Sequence, residues 1–198
     1  RPGRARRFLR RLGVCVALAL AGWSALPAGA APAVPEYNAK AGYLLLFTRY
    51  VEWPARCFPD ATSPIIIGIL GDNPVDGVLD KTVAGQTQNG RPIAVRRVSS
   101  PEEAAGCHVV FIARANGRVQ AAWLAALQGQ PVLTVAETDD GLRLGAVITF
   151  ASESTPGGVR LKFDASIPAM ERAGLRISSS MLQAARQAYR AESDPRRT

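Results

Sequence analysis

The stretch 43-YLLLFTRYVEWP-54 is almost entirely apolar and ends at a tryptophan-proline pair. Such a run is typical of a membrane-seeking segment, of a surface for a partner, or of a buried helix. Asn38 can cap a helix that begins at Tyr37, and the residue before a proline is pushed out of helical geometry. The resulting helix of about 15 residues is shorter than the roughly 20 that span a bilayer. The stretch therefore predicts a buried helix at the centre of a globular domain.

The few polar residues of this helix share one narrow side. Thr48, Arg49 and Glu52 fall together on a helical projection, and Arg49 lies three residues from Glu52, close enough to form an ion pair. The remaining circumference is apolar, as in a helix that is covered on nearly all sides. We therefore expect this helix to hold the fold, and we expect the interaction surface to lie elsewhere.

Strand and helix signals alternate along the rest of the chain. The β-branched run Ile65–Leu70 is typical of a strand that is covered on both faces. Further strands are predicted at 92–98, 108–113, 132–135, 146–150 and 159–163, and helices at 75–83, 118–127 and 167–189, the last broken near Gly174. The pattern predicts a single α/β domain with a mostly parallel sheet, helices on both faces and an antiparallel edge hairpin.

Residues 1–30 have the three parts of a secretory signal peptide: a cationic start, an apolar segment and the small-residue cleavage site 28-AGA-30. An uncleaved anchor is the alternative. Of the 24 Lys and Arg residues, six lie in this leader, and the other 18 nearly balance the 16 Asp and Glu. The formal charge of +8 therefore belongs to the leader and does not indicate nucleic-acid binding. We assign a linker to 31–36, the domain to 37–190 and a polar tail to 191–198, in a periplasmic protein.

Two cysteines, Cys57 and Cys107, lie outside the leader. An even number of cysteines in an oxidising compartment favours a disulfide. The alternative is two unrelated buried thiols. Together with the single histidine, His108, they do not have the number or spacing of a metal-ligand set, so we predict no metal.

The sequence contains no recognisable catalytic motif. The stretch 68-GILG-71 lies where a strand meets a helix, but it lacks the third glycine of a dinucleotide fingerprint and the Gly-Lys pair of a P-loop. His108 follows Cys107 on a strand, so their side chains point to opposite faces. The stretch 139-DDG-141 is typical of a turn, and 178-SSS-180 of a helix cap. We therefore predict a binding or regulatory module with no catalytic residues and no cofactor.

A set of eight stretches, in order along the chain, carries a more specific signal. They are 39-AKAGYLLLFTRYVEWP-54, 65-IIIGILGDNP-74, 90-GRPIAVRRV-98, 107-CHVVFIA-113, 132-VLTVAET-138, 145-GAVITF-150, 159-VRLKFD-164 and 174-GLRISSSMLQAAR-186. Over about residues 37–190 the chain resembles the YfiR-like family. The resemblance implies a periplasmic repressor that binds the periplasmic part of an inner-membrane diguanylate cyclase, lowers cyclic-di-GMP and restrains biofilm formation. It also implies an OmpA-like outer-membrane lipoprotein that sequesters the repressor.

The resemblance also implies particular site residues. Cys57 and Cys107 match the positions of a family disulfide, whereas a second pair found in some relatives has no counterpart at 139–150 here. Partner contacts are expected in the C-terminal third, at Phe150, Phe163, Ile167, Leu175 and Ile177. The alternative is that these residues pack the hairpin against the last helix. A homodimer remains open, and the alternative function is a small-ligand-binding or sensing module at the crevice of residues 71–74.

Overall fold

The computed structural model describes residues 33–72, 75, 77–156 and 158–190, with side chains described from Glu36 onward. Two predictions lie outside the described residues: the signal peptide at 1–30 and the polar tail at 191–198. From Val34 onward the described residues belong to one compact α/β unit. The predicted fold class is therefore confirmed.

The elements alternate along the chain much as the sequence predicts. Within the described residues the helices are α1 Ala33–Tyr50, α2 Val78–Val83, α3 Gly117–Leu127, α4 Ile167–Arg172 and α5 Ser179–Ala184. The strands are β1 Val51–Glu52, β2 Ile65–Leu70, β3 Thr87–Gln88, β4 Arg91–Val98, β5 Val109–Ile112, β6 Leu133–Ala136, β7 Ile148–Thr155, β8 Gly158–Ser166, β9 Arg176–Ile177 and β10 Gln187–Tyr189. Ala55–Cys57 forms a single 3-10 turn between β1 and β2.

Eight of these strands form one sheet, in the order β10-β8-β7-β6-β5-β2-β4-β3. The five central strands, from β7 to β4, are mutually parallel. β8 pairs antiparallel with β7, which confirms the hairpin, but the parallel strand β10 lies outside it. A separate two-stranded sheet joins β1 to β9, with Val51 opposite Ile177 and Glu52 opposite Arg176.

Helix α1 packs one face on the sheet and leaves the other open. It begins at Ala33, inside the segment interpreted as a linker, and Val51 and Glu52 leave it to form β1. Leu44 and Phe47 are fully buried, whereas Gly42, Leu46 and Tyr50 are exposed. The expectation of a helix covered nearly all round was therefore wrong, because only the stripe that faces the sheet is apolar and enclosed.

The polar side predicted for α1 also differs from the structure. Thr48 is buried, and its hydroxyl donates to the Leu45 carbonyl at 2.7 Å, which satisfies the hydroxyl within the helix. Arg49 reaches Gln86, and Glu52 belongs to β1 and not to the helix. The Arg49–Glu52 pair across one helical turn is therefore not formed.

Apolar side chains form two clusters, one on each face of the sheet. The first joins α1 to alternate residues of the central strands and includes Leu44, Phe47 and Phe111. The second lies under α3 and includes Leu124 and Ile112. Alternation of side chains along a strand sends successive residues to opposite clusters, which explains why β2 and β5 are apolar throughout. Among the described helices, none has both the length and the apolar character to cross a membrane.

The segment predicted as a final helix, 167–189, is instead two short helices and two short strands. Gly174 ends the α4 region with a φ of +65°, a conformation that favours glycine. The chain then extends into β9, and Ser178 caps α5 by accepting from the Met181 N–H. Arg186 holds the last strand in place through an ion pair with the buried carboxylate of Asp164, 3.0 Å from Nε to Oδ1.

We expect the buried face of α1 to dominate stability. Replacement of Phe47 by Ala removes a ring that contacts Phe150 and Phe163 and leaves a cavity, at a cost of roughly 3–5 kcal/mol. Leu46→Ala on the open face of the same helix should cost less than about 1 kcal/mol. Urea denaturation of both variants measures the difference. Equal losses would show that α1 is not anchored through this face.

Candidate functional site

A groove opens where the end of α1 meets the two-stranded sheet. Its volume is about 530 Å³. It is lined by Arg49, Tyr50, Glu52, Met170, Glu171, Leu175, Arg176, Ile177 and Ser178. The lining thus comes from two regions of the chain that are separated by more than a hundred residues, and the β1–β9 pairing brings them together.

Backbone hydrogen bonds fix the shape of this groove. The Ser178 N–H donates to the Tyr50 carbonyl at 2.9 Å, which ties the segment after β9 to the end of α1. The Leu175 N–H donates to the Met170 carbonyl at 3.1 Å, across the glycine that ends α4. The Ser178 side chain caps α5, so this residue links the groove to the next helix. The groove is therefore built on hydrogen-bonded backbone on both sides.

The groove has an apolar floor and a rim that carries both signs of charge. Leu175 is 4% exposed and Met170 and Ile177 are half-buried, whereas Tyr50 is 38% exposed at the edge. Arg49 and Arg176 supply two cations, and Glu52 and Glu171 two carboxylates, all with exposed side chains. An apolar centre within a polar rim is the composition of protein–protein interfaces. The groove therefore has the chemistry of a docking site for a protein segment.

The five residues predicted to contact a partner fall in different places. Phe150 and Phe163 are each 2% exposed and belong to the aromatic cluster with Tyr43 and Phe47. They support the core and present no surface. Ile167 is half-buried at the start of α4. Leu175 and Ile177 both line the groove.

Sequence reasoning missed the half of the groove that α1 and β1 supply. Arg49, Tyr50 and Glu52 belong to the opening stretch, which was expected to hold the fold and not to form an interaction surface. One signal was present, since Leu46 and Tyr50 lie four residues apart and share the open side of the helix. The pairing of β1 with β9 has no signature, because each strand is two residues long.

A buried charged cluster was also missed. Lys40 is 2% exposed, and its Nζ lies 2.8 Å from Glu137 Oε1 and 2.6 Å from Glu36 Oε1. The second oxygen of Glu137 accepts from the Arg114 N–H at 2.7 Å, at the carboxyl end of β5. The ring of Tyr37 lies 4.8 Å from Nζ. These contacts join the first turns of α1 to the ends of two central strands.

The protonation states of this cluster follow from its contacts. Burial lowers the pKa of Lys40, but the hydrogen bonds to Glu137 and Glu36 outweigh it, so that pKa lies above its ordinary value. Burial raises the pKa of Tyr37, and the negative charge of Glu137 adds to the effect. Lys40 is therefore a charged lysine paired with carboxylates, and not a neutral amine available for nucleophilic chemistry.

The two cysteines are free thiols in the structure. Cys57 ends the 3-10 turn and is half-buried, whereas Cys107 is buried in the cluster under α3. A Cβ on Gly68 would lie 2.9 Å from the Cys107 sulfur, so glycine is required at that point of β2. Burial raises the pKa of both thiols, which disfavours the reactive thiolate. The disulfide between them stays a prediction.

The crevice considered for a small ligand is partly filled. Gly71 has a φ of +97°, and a Cβ at this position would lie 3.1 Å from the Trp123 ring. Trp123 thus packs over the end of β2, and residues 73–74 lie outside the described residues. The 139–141 stretch forms a turn, as predicted, in which Asp140 pairs with Arg143 at 3.1 Å.

Comparison with known proteins identifies one matching family model and solved structures of low sequence identity. A family model described as YfiR/HmsC-like matches residues 37–186. A conserved domain protein from Vibrio cholerae is 12% identical, with a TM-score of 0.49, and the match covers 75% of this chain and 60% of that one. An ABC domain in complex with L-Trp from Streptococcus pneumonia is 11% identical, with a TM-score of 0.46, over 74% and 59%. The chain therefore spans about 60% of the length of these two structures.

Removal of the Lys40 ammonium from the buried cluster should lower the free energy of unfolding. Lys40→Met leaves Glu137 charged and buried without its partner, which we expect to cost roughly 3–5 kcal/mol in unfolding free energy. Adding Glu137→Gln removes the stranded charge and keeps an acceptor for the Arg114 N–H, so the double variant should recover part of the loss. Lys81→Met, at an exposed lysine, is the control, with an effect within about 0.5 kcal/mol. A loss for Lys40→Met no larger than for this control would contradict the pairing.

Proposed function

Since the chain belongs to the YfiR/HmsC-like family, whose members are periplasmic regulators of cyclic-di-GMP signalling, we propose that it binds and represses an inner-membrane diguanylate cyclase. The bound state lowers cyclic-di-GMP and restrains biofilm formation, and the protein itself performs no catalysis. The observation that carries the proposal is the groove of about 530 Å³ at the β1–β9 sheet, with its apolar floor and mixed-charge rim. A periplasmic segment of the cyclase is the proposed occupant.

Repression requires a difference in affinity between two states of the cyclase. A ligand shifts a conformational equilibrium only by as much as it prefers one state, and moving a 1:99 population to 99:1 takes a preference of roughly 10⁴-fold. In this proposal the mixed-charge rim contributes to the preference by favouring the state of the cyclase that presents a segment of complementary charge order. Glu52 and Arg176 lie opposite each other across the β1–β9 pair, so a segment with the wrong charge order meets like charges.

The same groove suits a second regulator that competes with the cyclase. We propose that an OmpA-like outer-membrane lipoprotein sequesters the protein by covering Tyr50 and the groove floor. Mutually exclusive binding would release the cyclase without any change in the fold of this domain. A homodimer through the open face of α1, next to the groove, would compete in the same way.

The groove variants test this proposal directly. Tyr50→Ser and Arg176→Gln change exposed side chains and place no like charge opposite Glu52, so the fold should be retained. In a deletion strain of the source bacterium, the wild-type gene should lower cyclic-di-GMP, and both variants should lose most of that effect at equal periplasmic protein levels. Arg160→Gln, an exposed change on β8 away from the groove, is the matched control and should act as the wild type. Full repression by the groove variants would refute the groove as the docking site.

A Cys57–Cys107 disulfide is a further part of the proposal. It is supported by the even number of cysteines in an exported chain. A bridge between Cys57 and Cys107 closes a loop of about 50 residues, which stabilises the folded domain by about 4 kcal/mol in the entropic model.

The bridge is tested on protein isolated from the periplasm without reductant. Neither cysteine should then be alkylated in denaturant until a reductant is added, and Cys107→Ser should leave Cys57 open to alkylation. Alkylation of both cysteines before reduction would show that they remain thiols.

A further inference from the structure

The ring of His108, the only histidine of the chain, is enclosed by aromatic side chains at the start of β5. His108 is 3% exposed. Phe58 stacks on its ring with centroids 4.4 Å apart and an interplanar angle of 19°, and Trp53 meets it edge-on at 5.7 Å. The ring of His108 is therefore the inner support for Trp53 and Phe58 in the loop of residues 53–63.

Hydrogen bonds define the protonation state that this arrangement needs. Nδ1 accepts from the Ile66 N–H at 3.1 Å, so the neutral ring carries its proton on Nε2. Nε2 has no hydrogen-bond partner among the described residues. The Trp53 indole N–H donates to the His108 carbonyl at 2.9 Å. The first part of the loop is therefore attached to the sheet through the ring and backbone of His108, whereas its end is held by Arg91 of β4, which donates to the Asp60 and Ser63 carbonyls at 2.7 and 2.9 Å.

A second proton would oppose these contacts. Protonation at Nδ1 removes the acceptor of the Ile66 N–H and places two donors against each other. Phe58 offers little compensation, because its other face already binds the Arg91 guanidinium at 3.9 Å from the ring centroid. A charged His108 would thus share one aromatic ring with a second cation.

The charged groups around the ring favour the neutral form. Burial lowers the pKa of His108, and the positive charges of Arg91 and Arg96 on β4 lower it further, against an opposing effect of the Cys57 backbone. From the loop, Arg56 is exposed, and the Asp60 carboxylate accepts from the Thr62 and Ser63 N–H groups. Beside His108 in the chain, the Cys107 thiol has its pKa raised by burial and stays neutral.

The loop held by His108 continues directly from the groove. Trp53 follows Glu52, which lines the groove and pairs with Arg176 across the β1–β9 sheet. Movement of Trp53 away from the His108 carbonyl therefore acts on Glu52, the residue before it, which is part of the groove wall. β1 is only two residues long, so Trp53, which donates to the His108 carbonyl, directly follows the groove residue Glu52.

We propose that His108 is a pH switch, whose protonation in acidic surroundings frees the loop of residues 53–63 and loosens the β1 wall of the groove. The switch goes beyond the proposed function and does not depend on which partner binds. Well above the ordinary histidine pKa of about 6.5, neither the folded nor the unfolded chain is protonated at His108, and stability is full. As pH falls below this value the unfolded or opened chain takes up the proton first, so the closed loop loses stability.

The single histidine makes the test unambiguous. Proton NMR of the protein purified from the periplasm, without a histidine tag, should give a His108 midpoint below about 6.5. Hydrogen exchange followed by mass spectrometry, with times corrected for intrinsic rates, should show protection in residues 51–63 falling about tenfold between pH 7.5 and 5.5. Peptides covering 174–178 should follow with the same midpoint, whereas α3 should not.

Two variants separate the switch from a merely structural histidine. His108→Asn keeps an oxygen that can accept from the Ile66 N–H but does not titrate, so the pH dependence of exchange in 51–63 should disappear. Arg96→Gln removes one of the two cations that lower the pKa of His108 and keeps the bonds of Arg91 to the loop, so it should raise the His108 midpoint, whereas Arg160→Gln on β8 should leave it unchanged.

Either of two results would overturn the proposal. One is that His108 of the wild-type protein titrates without any change in hydrogen exchange at residues 51–63. This result needs only the wild-type protein and holds even if His108→Asn fails to fold. The other is the same pH dependence of exchange in His108→Asn as in the wild type.

Discussion

The contact of Phe47 with the rings of Phe150 and Phe163 is the interaction on which the rest of the structure depends. The ring of Phe47 lies 5.1 Å from that of Phe163 and 6.2 Å from that of Phe150, and Tyr43 adds a second layer one turn earlier. This cluster fixes α1 across the hairpin strands. Once α1 is fixed, its first turns bring Lys40 to Glu137, and its last residues bring Tyr50 to the groove.

The core of the fold could be predicted from the sequence, because it depends on local patterns. The run Ile65–Leu70 has the continuous apolar character of a strand between two layers, and β2 has those same bounds. Helix α3 begins one residue before its predicted start and ends where predicted. The prediction of a single helix at 167–189 failed. The segment has helical composition, but Gly174 interrupts it and two parts of its backbone pair with distant strands.

The groove and the buried charges could be predicted only in part. Leu175 and Ile177 were chosen as surface candidates on a resemblance, and they line the groove with Tyr50, which was not chosen. The pairing of Lys40 with Glu137 joins residues 97 positions apart, and no periodicity in either segment indicates it. Such contacts arise from the crossing of α1 over the sheet. They become visible only when the topology is known, because local sequence specifies elements and not their neighbours.

The ends of the sheet have a consequence for solubility. An exposed strand edge is a template on which other chains can add and aggregate, and short, charged edge strands reduce that risk. The outermost strands here are β3, with two residues, and β10, with three. The longer strands just inside them carry Arg96 and Arg97 on one side and Arg160 and Lys162 on the other. The domain therefore limits edge-to-edge polymerisation through the brevity of its last strands, and the Arg186–Asp164 ion pair that retains β10 also protects against aggregation.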